Sequence, residues 1–121
     1  MKCLYVDMDG TLAEFRPISK IEDLYEKGYF ENLAPLPRVV QAVKDIIAQG
    51  QIKVCVLSSV LSDSKYALEE KNRWLDQHLP EIPEEDRFFP SCGESKVEFF
   101  DGQVNSSDFL LDDYSKNLHD W

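Results

Sequence analysis

A chain of 121 residues that is 43% hydrophobic and 12% aromatic is long enough to bury one core and too apolar to be disordered. Its net charge of -10 denies it the basic excess needed to bind a nucleic-acid polymer or an anionic membrane, although a small phosphorylated substrate needs only a local cationic pocket. No run reaches the roughly 20 apolar residues of a membrane span, Asp7 and Asp9 interrupt any signal-peptide core, and Cys3, Cys55 and Cys92 show no paired spacing; the expectation is a cytoplasmic protein without disulfide or zinc.

The first element in chain order is a short buried strand, where the apolar run Cys3-Leu4-Tyr5-Val6 stops at Asp7-Met8-Asp9-Gly10-Thr11. The segment 12–36 carries a helical turn around 21–26, a break at Gly28 and an aromatic cluster of Tyr25, Tyr29 and Phe30; it is too short to be a domain of its own. Pro37 opens a helix over 38–49, in which Val39, Val40, Val43, Ile46 and Ile47 recur at helical spacing, and Gly50 supplies the stop. A second apolar strand over 52–57 ends at Ser58-Ser59. Ser62 or Asp63 is placed to cap a second helix over about 64–79, with Ala67, Leu68, Trp74, Leu75 and Leu79 as its apolar face and Pro80 as its end. Phe88-Phe89 reads as a short strand closed by Pro90, and 91–107 as loop with little local structure. Phe109-Leu110-Leu111 forms the last strand, running into Asp112-Asp113, and 114–121 begins a helix. Strands alternating with crossover helices predict an α/β fold, a Rossmann-like three-layer sandwich around a central parallel sheet.

Chemistry gathers at the strand ends. Side chains two apart on an extended chain point the same way, so Asp7 and Asp9 converge on one spot. Like charges held that close repel unless a cation or a shared proton compensates, and hard carboxylate oxygens suit Mg²⁺. The alternative for these residues is an acidic surface turn, since Asp, Gly and Thr are ordinary turn formers. Against it, three apolar runs close on polar groups, at Asp7, at Ser58-Ser59 and at Asp112-Asp113. In a parallel sheet these ends share the edge where open α/β sheets bind ligands.

Asp-Met-Asp-Gly-Thr, an apolar strand ending in Ser, a later Lys and Leu-Leu-Asp-Asp together resemble the four ordered motifs of the haloacid dehalogenase superfamily. More narrowly, the segments Tyr29-Phe30-Glu31-Asn32-Leu33-Ala34-Pro35-Leu36-Pro37, Ser58-Ser59, Glu70-Lys71-Asn72-Arg73-Trp74-Leu75 and Leu111-Asp112-Asp113 are similar to the C-type 5′-nucleotidases, the 5′(3′)-deoxyribonucleotidase group. The resemblance implies one haloacid-dehalogenase-like hydrolase domain over 1–121, with a short cap-like insertion at about 13–36. It implies an Mg²⁺-dependent phosphomonoesterase in which Asp7 is the nucleophile and Asp9 the general acid and base. Asp7, the backbone carbonyl of Asp9 and Asp112 would hold the metal, and Asp113 would orient its neighbours.

Ser58 and Ser59 would bind the phosphoryl group. Three lysines compete to supply the positive charge: Lys96, in Gly93-Glu94-Ser95-Lys96 where the superfamily places its third-motif lysine; Lys71, which in the nucleotidase group also reaches the phosphate; and Lys65, read as a solvated helix residue. The expected order puts Lys96 first and Lys71 second. Tyr25, Tyr29 and Phe30 either stack on a base or sugar or pack on the core. Where the deoxyribonucleotidases often carry an arginine after the Asp pair, this chain has Tyr114, and its cap is shorter. The expected substrate is small and phosphorylated, a (deoxy)nucleoside monophosphate. The alternatives are another small phosphometabolite or phosphorylated end, or a non-catalytic phosphoacceptor module. Members of the family continue beyond the fourth motif, so at Trp121 either the chain is truncated or a partner, a second copy included, covers the sheet edge.

Overall fold

The computed structural model describes residues 2–14, 19–60, 64–91 and 109–111. Within these, strand β1 (Cys3–Val6) is followed by a 3₁₀ turn at Ile21–Tyr25, helix α1 (Pro37–Gln49), strand β2 (Lys53–Leu57), helix α2 (Ala67–His78), a 3₁₀ turn at Glu84–Asp86, strand β3 (Arg87–Phe88) and strand β4 (Phe109–Leu111). The strands form one sheet in the order β3-β2-β1-β4, and every pairing is parallel. This is the α/β, Rossmann-like architecture that the alternation of elements predicts. The chain leaves β1 towards β2 and β3 and returns to the far side of β1 at β4. That reversal makes the carboxyl end of β1, beside β4, the topological switch point where such sheets bind ligands.

Register aligns the strand ends. Val6 lies opposite Val56 on one side and Leu111 on the other, and the Asp7 amide donates to the Leu111 carbonyl at 2.9 Å. Ser58 extends the β2–β3 ladder by one bond, donating its amide to Phe88 at 3.0 Å. The first acidic motif and the serine motif therefore leave the sheet at the same level.

The helices start and stop for local reasons. Pro37 stands in the first turn of α1, and Gly50 ends it in the left-handed conformation at φ 71°, its amide bonded to Ile47. Valines 40 and 43 face the core, with Val39, Ile46 and Ile47 half-buried at the margins. The expected caps of α2, Ser62 and Asp63, lie outside the described residues; just before the helix the Ser64 hydroxyl accepts the amides of Tyr66 and Ala67 at 3.3 and 3.2 Å. The buried face of α2 differs from expectation. Leu68 is 52% exposed, while Ala67, Glu70, Lys71, Trp74 and Leu75 are buried, so two charged side chains occupy the apolar stripe.

Polar contacts pin α2 to its neighbours among the described residues. The Trp74 indole N–H donates to the Leu33 carbonyl at 2.8 Å, which docks the helix on the segment before α1. The Arg87 guanidinium, itself buried, donates to the Ile82 and Asn72 carbonyls and pairs with Asp76 at 2.9 Å, fixing α2 to the start of β3. At the end of the helix His78 lies against Trp74, with ring centroids 4.5 Å apart. Burial, and then the nearby Lys44 ammonium, hold its imidazole below the ordinary histidine range.

The segment 12–36 leaves and returns at one place. Leu36 donates to the Leu12 carbonyl at 2.8 Å and Glu14 to the Ala34 carbonyl at 2.7 Å, so two short stretches of chain clasp at the foot of the excursion. Cys3 is half-buried in β1 and Cys55 buried in β2, and Cys92 lies outside the described residues. No helix among the described residues is long and apolar enough to cross a membrane. The expected loop at 91–107 and the helix from 114 also fall outside, apart from Ser91, which bridges to Val60.

Candidate active site

Beyond β1 the backbone folds into a tight turn. The Met8 carbonyl accepts the amides of Thr11, Leu12 and Ala13, and Gly10, at φ 77°, takes the left-handed conformation that a side chain would strain. The turn presents Asp7, 8% exposed, and Asp9 at the mouth of the sheet. Ser58, from the end of β2, is fully buried beside them.

Lys71 joins these pieces. Its ammonium donates to Asp9 Oδ2 at 2.9 Å, to Ser58 Oγ at 3.0 Å and to the Ser59 carbonyl at 2.7 Å. Those three contacts use all three protons of the group. The Phe30 ring covers the same nitrogen, its centroid 4.8 Å away. The Lys71 side chain is 1% exposed, and a charge so enclosed is tolerable only because a carboxylate and neutral acceptors surround it. Two oxygens nearby lack such company: Asp9 Oδ1 and Thr11 Oγ1 are buried and have no hydrogen-bond partner among the described residues. An orphaned carboxylate oxygen beside a buried cation, with an orphaned hydroxyl in the same turn, marks a place where a polar ligand completes the network.

Of the residues singled out from sequence, the structure brings Asp7, Asp9, Ser58 and Lys71 to one edge of the sheet. Ser59 contributes there through its carbonyl, which holds the lysine. Lys96, Asp112 and Asp113 lie outside the described residues, Asp112 immediately after the last residue of β4. Lys65, beyond β2, is exposed as expected. Tyr29 and Phe30 are core residues, 1% and 5% exposed and stacked edge to face at 4.9 Å. Neither offers an open ring to a base, because Phe30 is turned onto Lys71.

Sequence reasoning assigned no role to Glu70. Its carboxylate, 2% exposed, accepts the Gly28 amide at 2.5 Å and the Phe30 amide at 3.1 Å. The signal was present: Glu70 and Lys71 follow Ala67 by three and four residues and precede Trp74 by four and three, which puts both charges on the buried stripe.

The donor set suits a hard divalent cation. Among the described residues the acids at the end of β1, Asp7 and Asp9, offer oxygen donors, and Lys71 offsets the charge on Asp9. Among the described residues no cluster of three or more His, Cys, Asp or Glu is assembled; Asp7 and Asp9 supply two acids.

This geometry agrees with the comparisons. The family model for "5' nucleotidase, deoxy (Pyrimidine), cytosolic type C protein" matches residues 19–121. The chain belongs to the type C 5′-nucleotidase family. It is 32% identical to the human mitochondrial 5′(3′)-deoxyribonucleotidase over 146 residues, a match covering 89% of this chain and 60% of that protein. The human cytosolic type 5′(3′)-deoxyribonucleotidase is 30% identical over 95 residues, covering 78% and 43%. This member of the family thus spans at most 60% of the length of these curated relatives. A chain in the solved structure described as "Structure of Pnkp1/Rnl/Hen1 complex" shares the fold, with a TM-score of 0.67 at 22% identity, over 99% of this chain and 42% of that one.

Proposed function

We propose that the protein is an Mg²⁺-dependent phosphomonoesterase acting through an aspartyl-phosphate, with (deoxy)nucleoside monophosphates as its substrates. The observation that carries this reading is the Lys71 ammonium, bonded at once to Asp9 and Ser58 within the turn that presents Asp7. A phosphate monoester resists attack because its oxygens repel the nucleophile, so catalysis must offset that charge and align the attacker.

In the proposed sequence an Asp7 carboxylate oxygen bonds to phosphorus and the ester P–O bond breaks. Asp9 gives a proton to the departing oxygen, then takes one from the water that hydrolyses the aspartyl-phosphate, releasing inorganic phosphate. Asp9 Oδ1, without a hydrogen-bond partner among the described residues, suits that exchange, since the other oxygen is held by Lys71. Ser58 accepts from Lys71 and so has its own O–H left to donate to a phosphoryl oxygen. The proposal gives Lys71 the charge-offsetting role for which Lys96 stood first in the sequence reading. Asp7, the Asp9 carbonyl and Asp112 would hold Mg²⁺, with Asp113 steadying them; the ion would supply further positive charge against the phosphoryl oxygens.

The names of the relatives support a nucleotide substrate. A second reading, another small phosphomonoester, is favoured by the burial of Tyr29 and Phe30, which withdraws both rings from base stacking. Hydrolysis of a panel of nucleoside 3′- and 5′-monophosphates, with para-nitrophenyl phosphate alongside, tests both. Turnover that needs Mg²⁺, is abolished by EDTA and is lost in Asp7→Asn is the expected result. Normal turnover in Asp7→Asn, or in the absence of divalent metal, would overturn the mechanism. Hydrolysis of para-nitrophenyl phosphate but of no nucleotide would decide for the second reading.

A further inference from the structure

We infer that Glu70 is a positioning residue for Lys71, acting through Phe30 across the segment that precedes α1. The catalytic consequence rests on the phosphomonoesterase reading; the geometry does not. Glu70 and Lys71 are successive residues of α2, so their side chains leave the helix about 100° apart. Glu70 reaches the turn at Gly28 and Phe30, and Lys71 reaches the strand ends. The two arms meet again at Phe30, whose amide is held by Glu70 and whose ring lies over the Lys71 ammonium.

This closed circuit has a physical purpose. The three protons of the ammonium are taken by Asp9, Ser58 and the Ser59 carbonyl, and the Phe30 ring lies over the same nitrogen, leaving the side chain 1% exposed. With water shut out, the lysine's field acts on Asp9 and on a bound phosphoryl group at low local dielectric, and the amine cannot drift to a hydrated rotamer. The ring can serve only while its backbone is fixed. Gly28, at φ 88°, makes the turn that aims both amides at one carboxylate, and the Phe30 amide would otherwise be a donor buried without that partner. A simple structural tie between α2 and the turn requires no particular group beneath the ring; here that group is the site's buried cation.

Reductive methylation of lysines in the intact protein, read by peptide mass spectrometry, tests the circuit without any substrate. In the wild type Lys71 should stay unmodified while exposed Lys27 and Lys65 react. In Glu70→Gln, which keeps the shape but turns a donor towards an amide, and in Phe30→Ala, protection of Lys71 should fall on the order of tenfold or more. If Glu70→Gln does not fold, Glu70→Asp, which keeps the charge and shortens the reach, replaces it with the same expectation.

Kinetically, Glu70→Gln should lower kcat on the order of 10- to 100-fold with KM within about twofold, and the double variant with Phe30→Ala should be no slower than the slower single one. Unchanged Lys71 protection in either folded variant would overturn the inference, as would kinetic losses that multiply. If the wild type hydrolyses no phosphomonoester, the proposed function falls while the labelling still decides the role of Glu70.

Discussion

Replacing Lys71 by methionine, a side chain of similar length without charge, isolates the cation at the centre of the site. The lysine side chain is 1% exposed and Asp9 22%, so the substitution strands a carboxylate with little water to receive it. Breaking a buried pair by removing one partner costs about 3–5 kcal/mol. Since Asp9 keeps some contact with solvent, the lower end applies, about 3 kcal/mol, which for a chain of this size lowers Tm by roughly 10 °C. Restoring neutrality should return much of it: Lys71→Met/Asp9→Asn leaves no unpaired charge and is expected to unfold roughly 1–2 kcal/mol above Lys71→Met. Urea denaturation of wild type, both single variants and the double variant completes the cycle. On the catalytic side Lys71→Met should lose on the order of 10²-fold or more in kcat, the scale of removing one preorganised electrostatic group. A Lys71→Met variant with wild-type stability, or a double variant no better than Lys71→Met, would refute the argument that the pair is buried and mutually dependent.

Gly28→Ala forces a side chain onto a backbone at φ 88° and sets a Cβ 2.8 Å from Asn32 Nδ2, so denaturation should show a loss of about 1–3 kcal/mol. Gly50→Ala, at φ 71° with nothing within 4 Å, should lose only the backbone term of about 1–2 kcal/mol. Trp74→Phe removes the hydrogen bond to Leu33 and leaves its carbonyl buried without that donor, for an expected 2–4 kcal/mol or so in the same assay. His78 gives a pH signature. Burial and Lys44 lower its pKa in the folded state, so the unfolded chain takes up the proton first and stability falls as pH drops below about 6.5, levelling once folded His78 is protonated too. Thermal melts between pH 8 and 5 should show that decline in the wild type and a flatter course in His78→Gln.

Periodicity and punctuation in the chain were enough to place the elements. Val40 and Val43 bury on the face their spacing predicts, and Pro37 and Gly50 bound α1 as proline and glycine bound helices in general. Helix α2 begins three residues later than expected, where the Ser64 hydroxyl takes the amides of Tyr66 and Ala67 and so holds residues 64–66 in a turn before the first helical one. The misplacement of Leu68 had a different cause: the apolar face was drawn through hydrophobic residues alone. Helical geometry selects positions rather than polarity, and Glu70 and Lys71 occupy the positions nearest the core.

By itself the sequence determined what local rules govern: alternating strands and helices, carboxylates two apart where a strand ends, and serines at the end of the next. That Lys71 meets Asp9 is a matter of distance in space. Lys71 stands 62 residues from Asp9 along the chain, and no local propensity encodes a 2.9 Å contact over that separation. Only the parallel register of β1 and β2 and the docking of α2 by Trp74 and Glu70 brought the amine to Asp9. The surroundings of Phe30 were settled in the same way. A ring at Phe30 fits a base or a core equally well, and the packing of α2 turned it onto a buried cation.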